Sequence, residues 1–307
     1  MKTRIVCLLL LAITACIFIG VALVKVPQPK KTTQATGKLS VLASFYPLAY
    51  FAQSIGGDLV TVQNITPTGT EPHDFEPTPQ ELVSVYNSKL FIYNGAGLES
   101  WVDKVLPDIQ SKGIAIVKAS NGIDILGGDK QPDPHIWLDP VLAQRIVLNI
   151  RDGLIQADPK NSSVYTQNAN SLIVKLIDLD QQYQKNLYNC QQKDVVASHQ
   201  VFAYLSKRYN FQPFAITGLS PDQEPSPQTM ADLTNLIQEK KVKYVLTETL
   251  VSTKLADTLA AETGATTLVF NPLEGLTPDE LNAGQNYFTI QQQNIKNLST
   301  ALQCPTL

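Results

Sequence analysis

Short apolar runs and longer helical patterns alternate along the chain from residue 38. In the first half, runs rich in β-branched and aromatic residues predict strands at residues 41–45, 59–65, 89–93 and 114–117. Stretches with apolar positions at helical spacing predict helices between or after them, at residues 48–55, 79–87 and 101–109. Strands that alternate with helices in this way are typical of a parallel α/β sheet.

The second half of the chain repeats the pattern. Strands are predicted at residues 195–198, 213–216, 242–247 and 266–270. Helices are predicted at residues 202–209, 227–239, 252–263 and 290–302. We therefore expect an α/β fold with two doubly wound lobes, an N-terminal lobe over residues 38–157 and a C-terminal lobe over residues 189–307.

One long helix is predicted between the lobes, over residues 158–188. Asp158 and Pro159 form a helix start, with a capping residue followed by proline at the first helical position. No Gly or Pro interrupts residues 160–187, and apolar side chains recur at helical spacing. At 1.5 Å per residue such a helix spans about 40 Å, which is enough to run along both lobes and restrict hinge motion between them.

The first 24 residues predict export from the cytoplasm. Lys2 and Arg4 precede an uninterrupted run of low polarity, as in a signal segment. A lipobox ends at Cys16, which would be lipidated, but the run of about 20 apolar residues is also long enough for an uncleaved membrane anchor. Residues 25–37 have no apolar periodicity and are predicted to be a flexible tether. Either way, the body of the protein is expected outside the cytoplasm, in the periplasm or on the outer face of the cytoplasmic membrane.

Composition and charge narrow the possible functions. The 307 residues are 44% hydrophobic, which suits two ordinary cores, and the net charge is -3 with acidic and basic residues interspersed. Nucleic acid is therefore not an expected partner, and we expect a monomer. Outside the export segment, Cys190 and Cys304 form a candidate disulfide, with two buried free thiols as the alternative.

The chain contains three histidines, and each follows or precedes a predicted element in a loop. His73 lies after the second strand, His135 lies in a proline-flanked segment, and His199 directly follows an apolar strand. Ligands bind at such strand ends in open α/β sheets, and three imidazoles suit a tetrahedral zinc site. Their spacing alone does not distinguish ligands from ordinary hydrogen-bonded histidines, because it matches neither HExxH nor a zinc finger.

Four segments, in order, resemble the metal-binding solute-binding proteins of zinc and manganese ABC importers. They are GTEPHDFEPT at residues 69–78, DPHIWLDP at 133–140, SHQVFAYL at 198–205 and GLSPDQEPSP at 218–227. The resemblance extends from residue 38 to the end of the chain. It implies two lobes joined by a long helix, with a metal ion in the cleft between them.

The resemblance also implies a ligand set and a function. His73 and His135 match the two histidine ligands of the N-terminal lobe, and His199 matches the third ligand, which is a carboxylate in manganese-type members. Because three nitrogens favour zinc, we expect a receptor that captures Zn²⁺ and delivers it to the membrane permease of an ABC importer. The alternative within the family is a manganese-type receptor. We expect zinc affinity to fall below about pH 6.5, as the imidazoles become charged.

The fourth ligand stays open at this stage. Many relatives have an aspartate in a segment similar to residues 269–273, where this chain has Asn271, a weak neutral ligand. Water or the carboxylate of Glu248 are the alternatives. Several further carboxylates either orient an imidazole or cap a turn: Glu71, Asp74, Glu76, Asp133 and Asp139.

Two other functions compete with the receptor. Three histidines with an open fourth position also activate water in zinc hydrolases, where Glu71 or Glu248 would be the general base. No nucleophile or substrate-binding motif accompanies the histidines, so we do not expect an enzyme. An adhesin-like surface protein is a third possibility, which binding to a macromolecule independent of the zinc ligands would reveal.

Overall fold

The computed structural model describes residues 37–128 and 131–305. The predicted export segment with Cys16, and all but the last residue of the predicted tether, lie outside these ranges. Residues 38–307 form one compact unit. Within the part of the chain that the structure describes, no helix combines the length and the apolar character that crossing a bilayer requires.

The N-terminal lobe is built on a parallel sheet of four strands in the order β2-β1-β3-β4. The strands are β1 (Leu39–Ala43), β2 (Val60–Asn64), β3 (Leu90–Tyr93) and β4 (Ala115–Lys118). The helices of this half are α1 (Tyr46–Gly56), α2 (Pro79–Asn87), α3 (Val102–Ser111) and α4 (Pro140–Ala157). The carboxyl end of each strand leads into a loop at one edge of the sheet, where the site described below lies.

The C-terminal lobe has the same architecture, with its four parallel strands in the order β6-β5-β7-β8. After the long helix α5 (Ser162–Asn186), the strands are β5 (Asp194–Ala197), β6 (Gln212–Ala215), β7 (Tyr244–Thr247) and β8 (Thr266–Val269). The helices are α6 (Ala203–Tyr209), α7 (Pro227–Lys240), α8 (Lys254–Thr263), α9 (Pro278–Asn282) and α10 (Tyr287–Ala301). In both lobes the first strand pairs with the second and the third, which is the doubly wound arrangement.

The predicted α/β fold with two doubly wound lobes is confirmed. All eight predicted strands are present, each within two residues of its predicted bounds. The bounds of helix α4 were not predicted from the apolar pattern. The helix begins after Asp139, whose carboxylate accepts hydrogen bonds from the backbone N–H groups of Val141 and Leu142. The lobe boundaries at residues 157 and 189 stay predictions.

The long helix begins later than its sequence signal indicates. Pro159 starts a short 3₁₀ turn, Pro159–Asn161, and the α-helix follows from Ser162. The reason is that the Asp158 carboxylate does not cap the helix, since it accepts hydrogen bonds from Tyr165 Oη at 2.8 Å and Asn161 Nδ2 at 2.6 Å. The 25 residues of α5 still extend about 38 Å.

One apolar core runs through both lobes. The inner face of α5 contributes Leu172, Leu176 and Tyr183 to the same buried cluster as Trp137 of the N-terminal half and Phe270 of the C-terminal half. Smaller clusters fill the outer side of each sheet. Because the lobes share a close-packed interior, a wide opening between them would expose buried apolar surface, which is unfavourable.

A disulfide joins Cys190 to Cys304. The bond fastens the residues after α10 to the segment that precedes β5, where backbone hydrogen bonds from Gln191 and Gln192 to the carbonyls of Gln303 and Leu302 reinforce it. The candidate pairing from the sequence is therefore present, and its role is structural.

Candidate metal centre

The three histidines converge in the cleft between the lobes, together with one carboxylate. The four residues, which we call the histidine–glutamate cluster, are His73, His135, His199 and Glu274. His73 lies in the loop after β2, His135 follows β4, His199 follows β5 and Glu274 follows β8. Every member thus lies beyond the carboxyl end of a strand, where doubly wound sheets bind their ligands.

The distances within the cluster are nearly uniform. His135 Nε2 lies 3.3 Å from the Nε2 atoms of both His73 and His199. Oε1 of Glu274 lies 3.3 Å from each of the three Nε2 atoms. The remaining pair, His73 and His199, lies within the 4.8 Å that bounds the whole cluster. Five of the six edges between the four donor atoms are therefore 3.3 Å, which makes the arrangement close to tetrahedral.

The size of this tetrahedron fits a zinc ion. A tetrahedron with edges of 3.3 Å has its centre about 2.0 Å from each corner. Zinc binds imidazole nitrogen at about 2.0–2.1 Å and carboxylate oxygen at about 2.0–2.2 Å. Three imidazole nitrogens and a carboxylate oxygen are donors that zinc accepts, and four of them complete its usual coordination number.

The cluster is almost sealed from solvent. The side chains of His135 and His199 are 0% exposed and that of Glu274 is 1% exposed, whereas His73 is 8% exposed. A buried carboxylate and three converging nitrogen lone pairs are unfavourable without a cation or protons among them. The arrangement is therefore suited to holding a positive charge.

Two further carboxylates fix the orientation of the imidazole rings. Asp133 Oδ1 lies 2.8 Å from Nδ1 of His135, and Glu248 Oε1 lies 2.7 Å from Nδ1 of His199. Each carboxylate accepts the Nδ1–H proton, so the neutral ring has its lone pair on Nε2, the atom that faces the cluster. The same oxygens also accept the backbone N–H of the histidine that they orient.

The cluster shifts the pKa values of its members in the direction expected of buried ion pairs. Burial disfavours charge on His199, but the carboxylates of Glu248 and Glu274 outweigh it and raise the pKa of this imidazole well above its ordinary value. The pKa of His135 is also raised, because Asp133 and Glu274 overcome its burial. Burial dominates at His73 and lowers its pKa.

The carboxyl groups of the site shift in opposite directions. Although burial raises the pKa of Glu274, the three imidazoles more than offset this and hold it well below its ordinary value. Burial and the neighbouring charge of Glu274 raise the pKa of Glu71 to about 10. Without metal, Glu274 is thus the ionised partner of protonated histidines.

The structure places the two candidate fourth ligands outside the cluster. Glu248 lies behind His199, on the far side of its ring, and orients that ring. Asn271 lies three residues before Glu274 and shapes the turn that leads to it. Its Oδ1 atom accepts the backbone N–H of Leu273 at 2.7 Å, and its Nδ2 atom donates to Glu280 Oε1 at 2.8 Å. The carboxylate that completes the cluster is Glu274 instead.

The turn that carries Glu274 is specified locally. Leu273 is fully buried and adopts the left-handed conformation, with φ of 61°, which costs a non-glycine residue about 1 kcal/mol or more. Sequence reasoning missed Glu274, although a signal was present. It is a lone carboxylate in the apolar run FNPLEGL, directly after a predicted strand, and buried charges of this kind require a partner.

The remaining predicted carboxylates have different roles. Asp139 caps α4. Both of its carboxylate oxygens also lie 2.7 Å from Arg208 Nε, and this ion pair joins the two lobes. The side chains of Asp74 and Glu76 are exposed, and Glu76 pairs with Lys104 at 3.3 Å. Glu71 accepts the backbone N–H of His73 at 2.9 Å. Of the two alternatives left open for these carboxylates, Asp133 has the first, orienting an imidazole, and Asp139 has the second, capping a helix.

Both lobes hold the segment that carries His135. Asn94 Nδ2 of the N-terminal lobe donates to the Pro134 carbonyl at 3.0 Å. From the C-terminal lobe, Tyr204 Oη donates to the Asp133 carbonyl at 2.8 Å. Trp137 Nε1 in turn donates to the carbonyl of Pro272, beside Glu274, at 2.7 Å. The relative positions of His135 and Glu274 are therefore fixed by hydrogen bonds across the cleft.

Comparison with known proteins gives a consistent result. The family model of ZnuA, described as the periplasmic component A of a zinc-uptake complex, matches residues 41–301. The high-affinity zinc uptake system protein ZnuA of Bacillus subtilis (strain 168) is 37% identical over 309 residues, which cover 95% of this chain and 97% of that protein.

The zinc-binding lipoprotein AdcA of Streptococcus pneumoniae is 36% identical over 280 residues, which cover 86% of this chain but 56% of AdcA. The crystal structure of the Zn(II)-bound ZnuA-like domain of Streptococcus pneumoniae AdcA superimposes with a TM-score of 0.79 at 37% identity. That superposition covers 87% of this chain and 100% of the domain. The chain belongs to the ZnuA family of zinc-uptake components.

Proposed function

We propose that this protein is the extracytoplasmic zinc receptor of an ABC-type importer, and that the histidine–glutamate cluster is its zinc site. The observation that carries the proposal is the near-tetrahedral arrangement of three Nε2 atoms and Glu274 Oε1, with five of its six edges at 3.3 Å. Zinc is the cargo of this site. The proposed ligands are His73, His135, His199 and Glu274.

Zinc is favoured over manganese by the donors and by their number. Manganese prefers six oxygen-rich ligands, whereas the cluster offers three nitrogens and one oxygen. Asp133 and Glu248 hold the rings in place, so the site cannot readily expand to six ligands. Discrimination between the two metals therefore depends on a rigid set of four donors.

A hydrolase is not supported by the same geometry. A catalytic zinc ion keeps one position for water, but in this cluster Glu274 occupies the position that water would take. Glu248, which could have been a general base, is engaged with Nδ1 of His199. The family to which the chain belongs is also one of uptake components and not of enzymes.

The location and partners follow from the family and from the first residues of the chain. A periplasmic zinc-uptake component and a zinc-binding lipoprotein among its relatives support a position outside the cytoplasm. We propose that the N-terminus tethers the protein to the membrane, through a lipid on Cys16 or through an uncleaved apolar anchor. The partners are then Zn²⁺ and the importer's membrane permease, and the receptor acts as a monomer.

Competitive calorimetry tests the proposed function. Zinc and manganese would be titrated into metal-stripped protein that begins at Lys38, beside a His199→Ala variant. One tight zinc site per chain, weak manganese binding and a large loss of zinc affinity in the variant are expected. A preference for manganese, or zinc binding that is unchanged in the variant, would show that the metal or the site is wrong.

A further inference from the structure

A cavity of about 690 Å³ lies beside the histidine–glutamate cluster, between the His73 loop and the C-terminal lobe. Its wall includes Glu71, two residues before His73, and Ser198, directly before His199. Leu250, Ser252 and Leu255 of the C-terminal lobe also line the cavity. The cavity therefore reaches two of the four ligand loops.

The ligands differ in how far they are exposed to solvent. His73 is the one member of the cluster with measurable exposure, 8% of its side chain, while the others are at 0–1%. A smaller cavity of about 310 Å³ also reaches His199, from the side of Asp133 and Phe202. The imidazole of His199 is 0% exposed, so this residue forms part of the wall of the smaller cavity but is covered by its neighbours.

Glu71 lies between the larger cavity and the cluster. Its Oε1 atom accepts the backbone N–H of His73, and its carboxyl group is within hydrogen-bonding reach of Glu274. The Oε2 atoms of Glu71 and Glu274 are both buried, and neither has a hydrogen-bond donor among the described residues. A pair of facing acceptors of this kind is stable only with a proton or a cation between its oxygens.

The backbone also supports this position for Glu71. The N–H of Gly69 donates to the Leu276 carbonyl of the C-terminal lobe at 2.9 Å, which holds the segment before Glu71 across the cleft. Glu71 is thus the residue that both lines the cavity and contacts a member of the cluster, Glu274. Oxygen of a carboxylate is an accepted zinc ligand, so this group can replace a water molecule of the hydrated ion.

We propose that Glu71 is the transit ligand through which Zn²⁺ enters and leaves the cluster by way of the larger cavity. The inference rests on the proposed zinc-receptor function. Hydrated zinc exchanges one water for a carboxyl oxygen of Glu71, and the proton held between Glu71 and Glu274 is released to the water of the cavity. The ion is then shared with the adjacent Glu274. It binds His73 and the two buried imidazoles last, and the displaced water stays in the cavity. Stepwise exchange avoids an ion without ligands, which would be strongly unfavourable in a buried site.

The test compares rates with affinity. Zinc association and dissociation would be followed by stopped-flow mixing of the purified protein with Zn²⁺ and with a chromophoric chelator, for wild type and Glu71→Gln. The matched control is Glu76→Gln, the same substitution on an exposed carboxylate of the same loop. Replacing the carboxyl group that contacts the entering ion by an amide should slow both rates by about tenfold or more in Glu71→Gln. The equilibrium affinity should stay within about threefold of wild type, because the four ligands are unchanged.

A second pair of variants tests the route independently of Glu71. Ser252→Trp adds bulk to an exposed wall of the larger cavity and should also slow both rates, whereas Ala215→Phe in the smaller cavity should not. The melting temperature of each metal-free variant establishes that it is folded. If Glu71→Gln fails to fold, the cavity variants still decide the route.

Several results would overturn the inference. Faster dissociation with unchanged association in Glu71→Gln would make Glu71 a resident ligand or a positioning residue. Unchanged rates in Glu71→Gln, or slowing by Ala215→Phe alone, would place the route elsewhere. None of these results affects the receptor function, which fails only if the wild-type protein does not bind zinc tightly.

Discussion

Replacing Glu274 by glutamine is the most direct perturbation of the zinc site. The variant keeps the size of the side chain, removes its charge and replaces one acceptor oxygen by an N–H donor group. In the native cluster, Oε1 of Glu274 is 3.3 Å from three imidazole nitrogens, and the side chain is 1% exposed. Zinc in the variant would be a buried dication surrounded by three neutral rings and an amide.

The expected loss is large because the charge is buried. Removal of one partner from a buried ionic interaction costs about 3–5 kcal/mol, which corresponds to a loss of zinc affinity of about two to four orders of magnitude. Glu248→Gln is the matched control, since it also neutralises a buried carboxylate but acts through His199. Variants of groups that orient a ligand weaken metal binding by about 10–100-fold, so the control should lose less than Glu274→Gln.

Chelator competition at equilibrium measures both losses on one scale. The thermal stability of each metal-free variant would be recorded alongside, so that unfolding is not mistaken for loss of a ligand. If Glu274→Gln binds zinc within about threefold of wild type, or Glu248→Gln loses more, Glu274 is not the fourth ligand. The fourth ligand would then be Glu248 in a rearranged site, or water.

Three further predictions concern the surroundings of the cluster. Asn271→Asp should lower the free energy of unfolding, measured by chemical denaturation, by about 1–3 kcal/mol, because the new carboxylate would face Glu280. Zinc binding should not become tighter, and tighter binding would contradict the placement of Asn271 outside the cluster. Joint replacement of Cys190 and Cys304 by serine should cost about 2–5 kcal/mol of stability and leave zinc affinity unchanged, and equal melting temperatures would refute a stabilising bond. The raised pKa of His199 means that zinc displaces a proton at neutral pH. Affinity should therefore rise by about tenfold per pH unit for each proton released, and not level off above pH 6.5. Calorimetry in two buffers of different ionisation enthalpy checks this, and identical binding enthalpies would contradict it.

The apolar pattern was sufficient for the fold because strands and helices in a doubly wound lobe alternate in a simple order. All eight strands could be predicted. The late start of α5 could not, because it accompanies hydrogen bonds from Tyr165 and Asn161 to the Asp158 carboxylate, which the apolar pattern does not indicate. The three histidines could be predicted from their motifs. Glu274 was not among the candidate fourth ligands. Its position at the Nε2 atoms depends on the turn after β8, and the position of Glu248 at Nδ1 of His199 depends on the end of β7.

The distribution of contacts across the cleft determines where the zinc site can open. The segment around His135 is tied to the C-terminal lobe by Tyr204, by Trp137 and by the Asp139–Arg208 ion pair. Trp137 and Tyr204 belong to an apolar core that both lobes share, so separating the lobes would expose buried apolar surface.

The loop that carries His73 has weaker ties to the C-terminal lobe. The backbone bond from Gly69 to Leu276 and the contacts of His73 and Glu71 with Glu274 are the ones that the structure describes there. Separating the lobes would break all of these contacts, whereas the proposed route past Glu71 involves only the contacts of the His73 loop. Exchange of zinc by that route therefore does not require a wide opening of the cleft.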